Sequence, residues 1–140
     1  MKTHGFDHIV LLGDSGGNQT GMKEVAGELS AKWAGGKTTI HFIPEYYDYP
    51  GVQKFLETLG VTQVDEGHHD DFGITSEMMV VDPNTVRLKQ RIAKKKASIN
   101  GVSLVPAEKA IALGKKVVEF RASLTVDAIR KAIGKATTSQ

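Results

Sequence analysis

The sequence predicts an α/β fold in which a mainly parallel sheet carries helices packed on it. Ile9-Val10-Leu11-Leu12 and Thr38 to Ile43 are apolar or β-branched runs. Continuous runs of this kind suit strands buried on both faces. Between them, Met22, Val25, Ala26, Leu29 and Trp33 recur at three- and four-residue steps, the spacing of one helix face. Strand, helix and strand in that order form a βαβ unit, whose crossover is expected to be right-handed.

Taken in order, Lys2-Thr3-His4-Gly5-Phe6 reads as the end of a helix with Gly5 as its left-handed cap. Residues 7–13 predict the first strand, Gly13-Asp14-Ser15-Gly16-Gly17-Asn18 a turn into the helix, and Gly35-Gly36 the end of that helix. Residues 38–43 predict the second strand, stopped by Pro44. Glu45-Tyr46-Tyr47-Asp48-Tyr49-Pro50 is then a loop at the same edge of the sheet as Asp14. Val52 to Leu59 predicts a short helix, residues 61–72 are polar and acidic, and Ile74 to Val81 predicts an apolar helix ended near Asp82-Pro83. Ser98-Ile99-Asn100-Gly101 reads as a turn. Residues from Pro106 to Ile133 read mostly as helix, with Leu113, Val117, Phe120 and Leu124 on one face and Pro106 in the first turn.

The length of 140 residues fits one α/β domain over 1–140. Eighteen basic against sixteen acidic residues give a formal charge of +2, too little to argue for a nucleic-acid partner. The basic run Arg87 to Lys96 has no interleaved aromatics, and reads as a solvated helix face or turn. There is no cysteine, so disulfides and thiolate metal sites are excluded. No apolar segment reaches membrane-spanning length and none resembles a leader, so no membrane partner and a cytoplasmic location are expected.

Two clusters carry chemistry. The glycines of the 13–18 turn allow a ligand close to the backbone, while Asp14, Ser15 and Asn18 supply polar groups where α/β proteins place ligands. The plainer reading is a turn with Ser15 or Asn18 capping the helix. Tyr46, Tyr47 and Tyr49 add hydroxyls and rings at that edge, for substrate contact or for packing. Glu66-Gly67-His68-His69-Asp70-Asp71 gathers two imidazoles and three carboxylates, a donor set suited to zinc or manganese. Adjacent residues cannot all reach one ion, so two or three of them are candidate ligands; the plainer reading is an acidic loop with Asp70 or Asp71 capping a helix. His4, His8 and His41 are weaker candidates, and His8 and His41 read as hydrogen-bonded strand residues.

The stretch His8 to Asn18, with its strand followed by Gly13-Asp14-Ser15-Gly16-Gly17-Asn18, is similar to the strand and Asn-Gly-His-Gly-Gly-Asn motif of the creatininase (creatinine amidohydrolase) family. His69 to Pro83 resembles that family's His-Ala-Gly-x-x-Glu-Thr-Ser-x-Met motif, with Thr75, Ser76 and Met78 in register and Asp82-Pro83 following. The two motifs have the family's order and separation, and the resemblance covers residues 3–135.

The resemblance implies an α/β/α layered sandwich, a divalent metal (zinc or manganese) at the strand ends, and homo-oligomers. It also implies hydrolysis of an amide-type bond in a small-molecule substrate by metal-activated water. His69 falls on the family's downstream histidine. Ser15 stands where the family has a metal-binding histidine, and Ile74 where it has the glutamate before Thr-Ser. Asp14 is then the candidate substitute for the first, and Asp70 or Asp71 for the second. Under this reading Asp14, Ser15 and His69 are catalytic and Asp14, His68, His69, Asp70 and Asp71 are the metal candidates. Gly16, Gly17, Asn18, Tyr46 and Tyr47 face substrate, which an amide, lactone or ester would satisfy. Family members are close to twice this length, with further ligands in their first half, so the chain reads as a carboxyl-terminal half that self-associates to cover exposed sheet edge. The alternative is a catalytically inactive chain that folds and oligomerises. Phosphate binding at the glycine turn is a weaker third reading, because no P-loop lysine follows and Rossmann glycine spacing is absent.

Overall fold

The computed structural model describes residues 1–65 and 69–137, with side chains described through Gly134. It is a mixed helix and strand structure, which agrees with the α/β expectation at that level. Two compact units form, one from residues 1–48 with 122–140 and one from residues 49–121.

The first unit contains the predicted βαβ order. Strand β1 (His8–Leu11) and strand β2 (Thr39–Phe42) pair in parallel, with His8 opposite Thr39, Ile9 opposite Ile40, Val10 opposite His41 and Leu11 opposite Phe42. Helix α1 (Gly16–Lys32) connects them. Both strands are shorter than the apolar runs suggest, because the ladder stops where the chain turns into α1 and at Pro44. Ile9, Ile40 and Ala26 form the core here, with Leu11, Phe42, Leu29 and Trp33 packed against it. Val25 is 45% exposed, contrary to its place in the helical period. A sheet of two strands is narrow, and it covers only part of a helix face. Strand alternation puts His8, Val10, Thr39 and His41 on the sheet's other face. Near the start, a single 3-10 turn (Lys2–His4) ends on Gly5 in the left-handed region, φ 78°, whose N–H donates to the Lys2 carbonyl. The expected cap is therefore present, although the helical segment before it is only one turn.

In the second unit, helix α2 (Tyr49–Thr58) starts three residues earlier than the sequence suggests, and helix α3 (Phe72–Val81) two residues earlier. Helix α4 (Leu88–Ala93) takes up the middle of the basic run. Strands β3 (Ser98–Ile99) and β4 (Val102–Ser103) form an antiparallel hairpin. Asn100 and Gly101 both have positive φ, 45° and 79°, as a tight two-residue hairpin turn requires. The expected turn is thus a hairpin, and among the described residues parallel pairing is confined to β1 and β2. Helix α5 (Ala107–Thr137) begins one residue after Pro106, whose carbonyl accepts from Lys109 N–H at 3.1 Å. Leu56, Phe72, Met79, Leu104 and Val117 are fully buried in this unit's core, with Leu113 and Phe120 packed against it. Phe120 stacks on Phe55 at 4.3 Å between ring centres.

Among the described residues, no helix is long and apolar enough to cross a membrane.

Candidate functional site

Parallel pairing brings the carboxyl ends of β1 and β2 to one edge of the first unit. The glycine turn leaves from the first and a 3-10 turn, Pro44–Tyr47, from the second. A ligand crevice in an open α/β sheet lies outside such strand ends. Here a cleft of about 710 Å³ is lined by Gln19, Thr20 and Lys23 of α1, Phe42 of β2, and Pro44, Glu45, Tyr47 and Asp48 of the following turn.

Ser15 is the N-cap of α1 in extended conformation, and its side chain makes no capping bond; Asn18 N–H donates to its carbonyl at 3.1 Å instead. The capping reading of Ser15 therefore holds for the backbone and not for the hydroxyl, which is left at the exposed turn. The turn is pinned by Gln19, whose Nε2 donates to the Gly13 and Ser15 carbonyls, both at 2.9 Å. Gly16 meets Tyr47 closely: a Cβ at that position would stand 2.9 Å from the phenol oxygen. Any larger residue would displace the phenol. Tyr46 and Tyr47 are half-buried, and Asp14, Gly17 and Asn18 are exposed.

The second cluster lies in the second unit. Glu66, Gly67 and His68 fall outside the described residues, so the expectation for His68 does too. His69 and Asp70 are exposed immediately before α3. Asp71 is buried and caps α3, with Oδ1 accepting from Ile74 N–H at 2.8 Å and Oδ2 accepting from Gln63 Nε2 at 2.7 Å. Both its oxygens are spent on protein donors, as the capping reading has it. Asp14 belongs to the first unit and His69 to the second. Carboxylate and imidazole are donors that zinc and manganese accept, so Asp14, His69 and Asp70 suit such an ion in their chemistry. Among the described residues, no three His, Asp or Glu side chains are grouped closely enough to hold one together.

A further cluster sits on the sheet face opposite α1. His8 Nδ1 lies 2.7 Å from Thr39 Oγ1, which lies 3.0 Å from His41 Nε2; the two ring nitrogens are 3.4 Å apart. The rings are tilted by 42° with centroids at 5.5 Å. Burial, and next to it the neighbouring His8, hold His41 below the usual imidazole pKa. The hydrogen-bonded strand histidines expected from the sequence are present.

Comparison of the chain with family models, curated proteins and solved structures finds no match. The residues the sequence does not single out are Gln19, Lys23 and Glu45. Gln19 lies four residues after Ser15 and four before Lys23, which puts all three on one helix face. That spacing was the available signal.

Proposed function

We propose that the chain is a small metal-dependent hydrolase of creatininase type, acting on an amide, lactone or ester-type bond of a small molecule. The observation that carries it is the glycine turn at the carboxyl end of β1, where Gly16 meets Tyr47, a residue of the cleft along α1 and the 44–48 turn. Asp14 in the first unit, and His69 with Asp70 beside it in the second, are each candidate donors for zinc or manganese. Such an ion, when bound, lowers the pKa of a coordinated water towards neutrality. The Gly16 and Gly17 N–H groups are at the first turn of α1, where orphan backbone donors and the helix dipole favour a developing negative oxygen. Ser15 offers its uncommitted hydroxyl beside them. Gln19 keeps these groups in place, Tyr47 is the wall of the cleft against which the substrate rests, and its neighbour Tyr46 belongs to the same substrate assignment. The family's α/β/α layering and its homo-oligomers belong to the same reading, as does a cytoplasmic setting.

Ser15 and Ile74, at positions where the family carries ligands, favour the second reading, a catalytically inactive chain that folds and self-associates. Metal analysis of protein purified without chelator, joined to a hydrolysis screen over amides, lactones and esters, separates the two. Bound zinc or manganese with hydrolysis that His69→Ala abolishes while the fold persists supports the hydrolase. A chain that binds neither ion and hydrolyses nothing in the panel is the inactive one.

A further inference from the structure

We propose that His8 and His41, with Thr39 between them, form a binding site for a borderline transition-metal cation, zinc in the first instance, on the sheet face opposite α1. This site is separate from the Asp14 and His69 assignment and does not depend on it. His8 stands at the amino end of β1, whereas Asp14 follows its carboxyl end.

The separation of the two ring nitrogens carries the inference. A tetrahedral zinc ion holds nitrogens at about 2.0–2.1 Å, which spaces two of them by roughly 3.3–3.4 Å. His8 Nδ1 and His41 Nε2 are 3.4 Å apart, so both can ligate one ion with the backbone as it stands. Parallel pairing sets this distance. His8 is registered against Thr39, and Thr39 and His41, two apart on β2, project from the same face. Ligands fixed on paired strands lose little further freedom on binding.

Thr39 holds the two rings in place. Its Oγ1 lies within 3.0 Å of both nitrogens, and bridges the rings when no ion is present. With zinc bound, water completes the tetrahedron about the two imidazoles, and Thr39 Oγ1, too close to His8 Nδ1 to be a tetrahedral ligand itself, is placed to hydrogen-bond such a water. His8, Thr39 and His41 are each half-buried, so an ion and its water can reach them. Imidazole pairs favour zinc, copper or nickel over magnesium and calcium. The site therefore discriminates between these groups of cations.

The test is a zinc titration of the full chain, stripped with chelator, followed through nitrogen-resolved spectra of its histidine rings. The expected result is a joint shift of His8 Nδ1 and His41 Nε2 that saturates near one ion per chain, with magnesium giving none. His41→Gln weakens zinc at least about tenfold through loss of a direct ligand, and His69→Ala leaves these shifts unchanged. Zinc that moves the His69 ring alone, or that binds His41→Gln as tightly as the parent chain, overturns the proposal. So does the absence of any ring shift up to roughly millimolar zinc, a range well above that of structural sites. Should His41→Gln fail to fold, the ring spectra of the unmodified chain decide the matter alone.

Discussion

Gln63 Nε2 donates to Asp71 Oδ2 at 2.7 Å, inside the second unit, where both residues are at least nine-tenths buried. The same amide also donates to Gln53 Oε1 at 2.7 Å, and its oxygen accepts from Phe72 N–H at 2.6 Å. One side chain thus ties α2, the loop after it and the first turn of α3 together. Asp71 in turn caps that helix through Ile74 N–H.

Asp71→Ala removes a cap and leaves a buried amide donor short of a partner. Loss of a cap costs about 1 kcal/mol, and an unsatisfied buried group about 1–3 kcal/mol. The expected total is about 2–4 kcal/mol, read as a lower urea midpoint at unchanged slope. Asp71→Asn, which keeps an acceptor for Ile74 N–H, is expected to lose less. Since the asparagine amide nitrogen would face the Gln63 Nε2 donor, equal losses for the two variants would mean that the Gln63 bond, and not the cap, is what matters.

Gly114 and Gly134 lie in the same helix, α5, and are expected to respond to alanine with opposite signs. A Cβ on Gly114 would overlap the Ser76 carbonyl of α3, whereas one on Gly134 meets nothing within 4 Å. Replacing glycine by alanine inside a helix gains about 0.8–1.0 kcal/mol in propensity. Gly134→Ala is therefore expected to raise the melting temperature by a few degrees. Against the α3 backbone the same methyl group forces the two helices apart, an overpacking cost of about 1–3 kcal/mol or more. Gly114→Ala is accordingly expected to lower the melting temperature, and stabilisation by that variant would show that the helices separate easily.

The parts of this arrangement legible in the sequence are those set by local pattern. The runs 9–12 and 38–43 mark β1 and β2, and the three-four spacing from Met22 to Trp33 marks α1. Val25 is misread because period alone does not say how wide the opposing surface is. Gln63 is invisible for a related reason: in a polar stretch, nothing distinguishes a buried amide from a solvated one. At the cleft, the tyrosine cluster points to Tyr47, but Gln19 and Lys23 look like ordinary solvent-facing helix residues. The convergence of His8 with His41 depends on the register of β1 against β2, which is a tertiary fact.

Gly16→Val tests whether the cleft is where substrate rests. The new side chain collides with the Tyr47 phenol and so displaces a residue that lines the cleft with Gln19 and Lys23. Hydrolysis, or binding of the substrate identified by the screen, is expected to fall at least about tenfold, a loss of about 1.4 kcal/mol. Stability should change little, since the position is exposed and lies at a helix start. Combining it with Tyr47→Ala removes the collision, and the double variant is expected to recover part of what the single one loses. Full activity in Gly16→Val would place the substrate elsewhere.

The His41 environment predicts a pH dependence of stability for the metal-free chain. Burial and the adjacent His8 lower its pKa in the folded state, and Thr39 Oγ1 at 3.0 Å contacts the same ring nitrogen. In the unfolded chain the ring titrates near its ordinary value of about 6.5. As the pH falls, the unfolded state takes up this proton first, so the unfolded state is favoured by acid. The contribution of the neutral ring is complete above about pH 7.5, declines through about 6.5, and levels off below the folded pKa. His41→Gln keeps a polar side chain and removes the titration. Urea unfolding in chelator at about pH 8, 6.5 and 5 is therefore expected to show a steeper loss for the parent chain than for the variant. Parallel loss in the two proteins would mean that His41 titrates alike when folded and unfolded, and that the acid sensitivity originates in other groups.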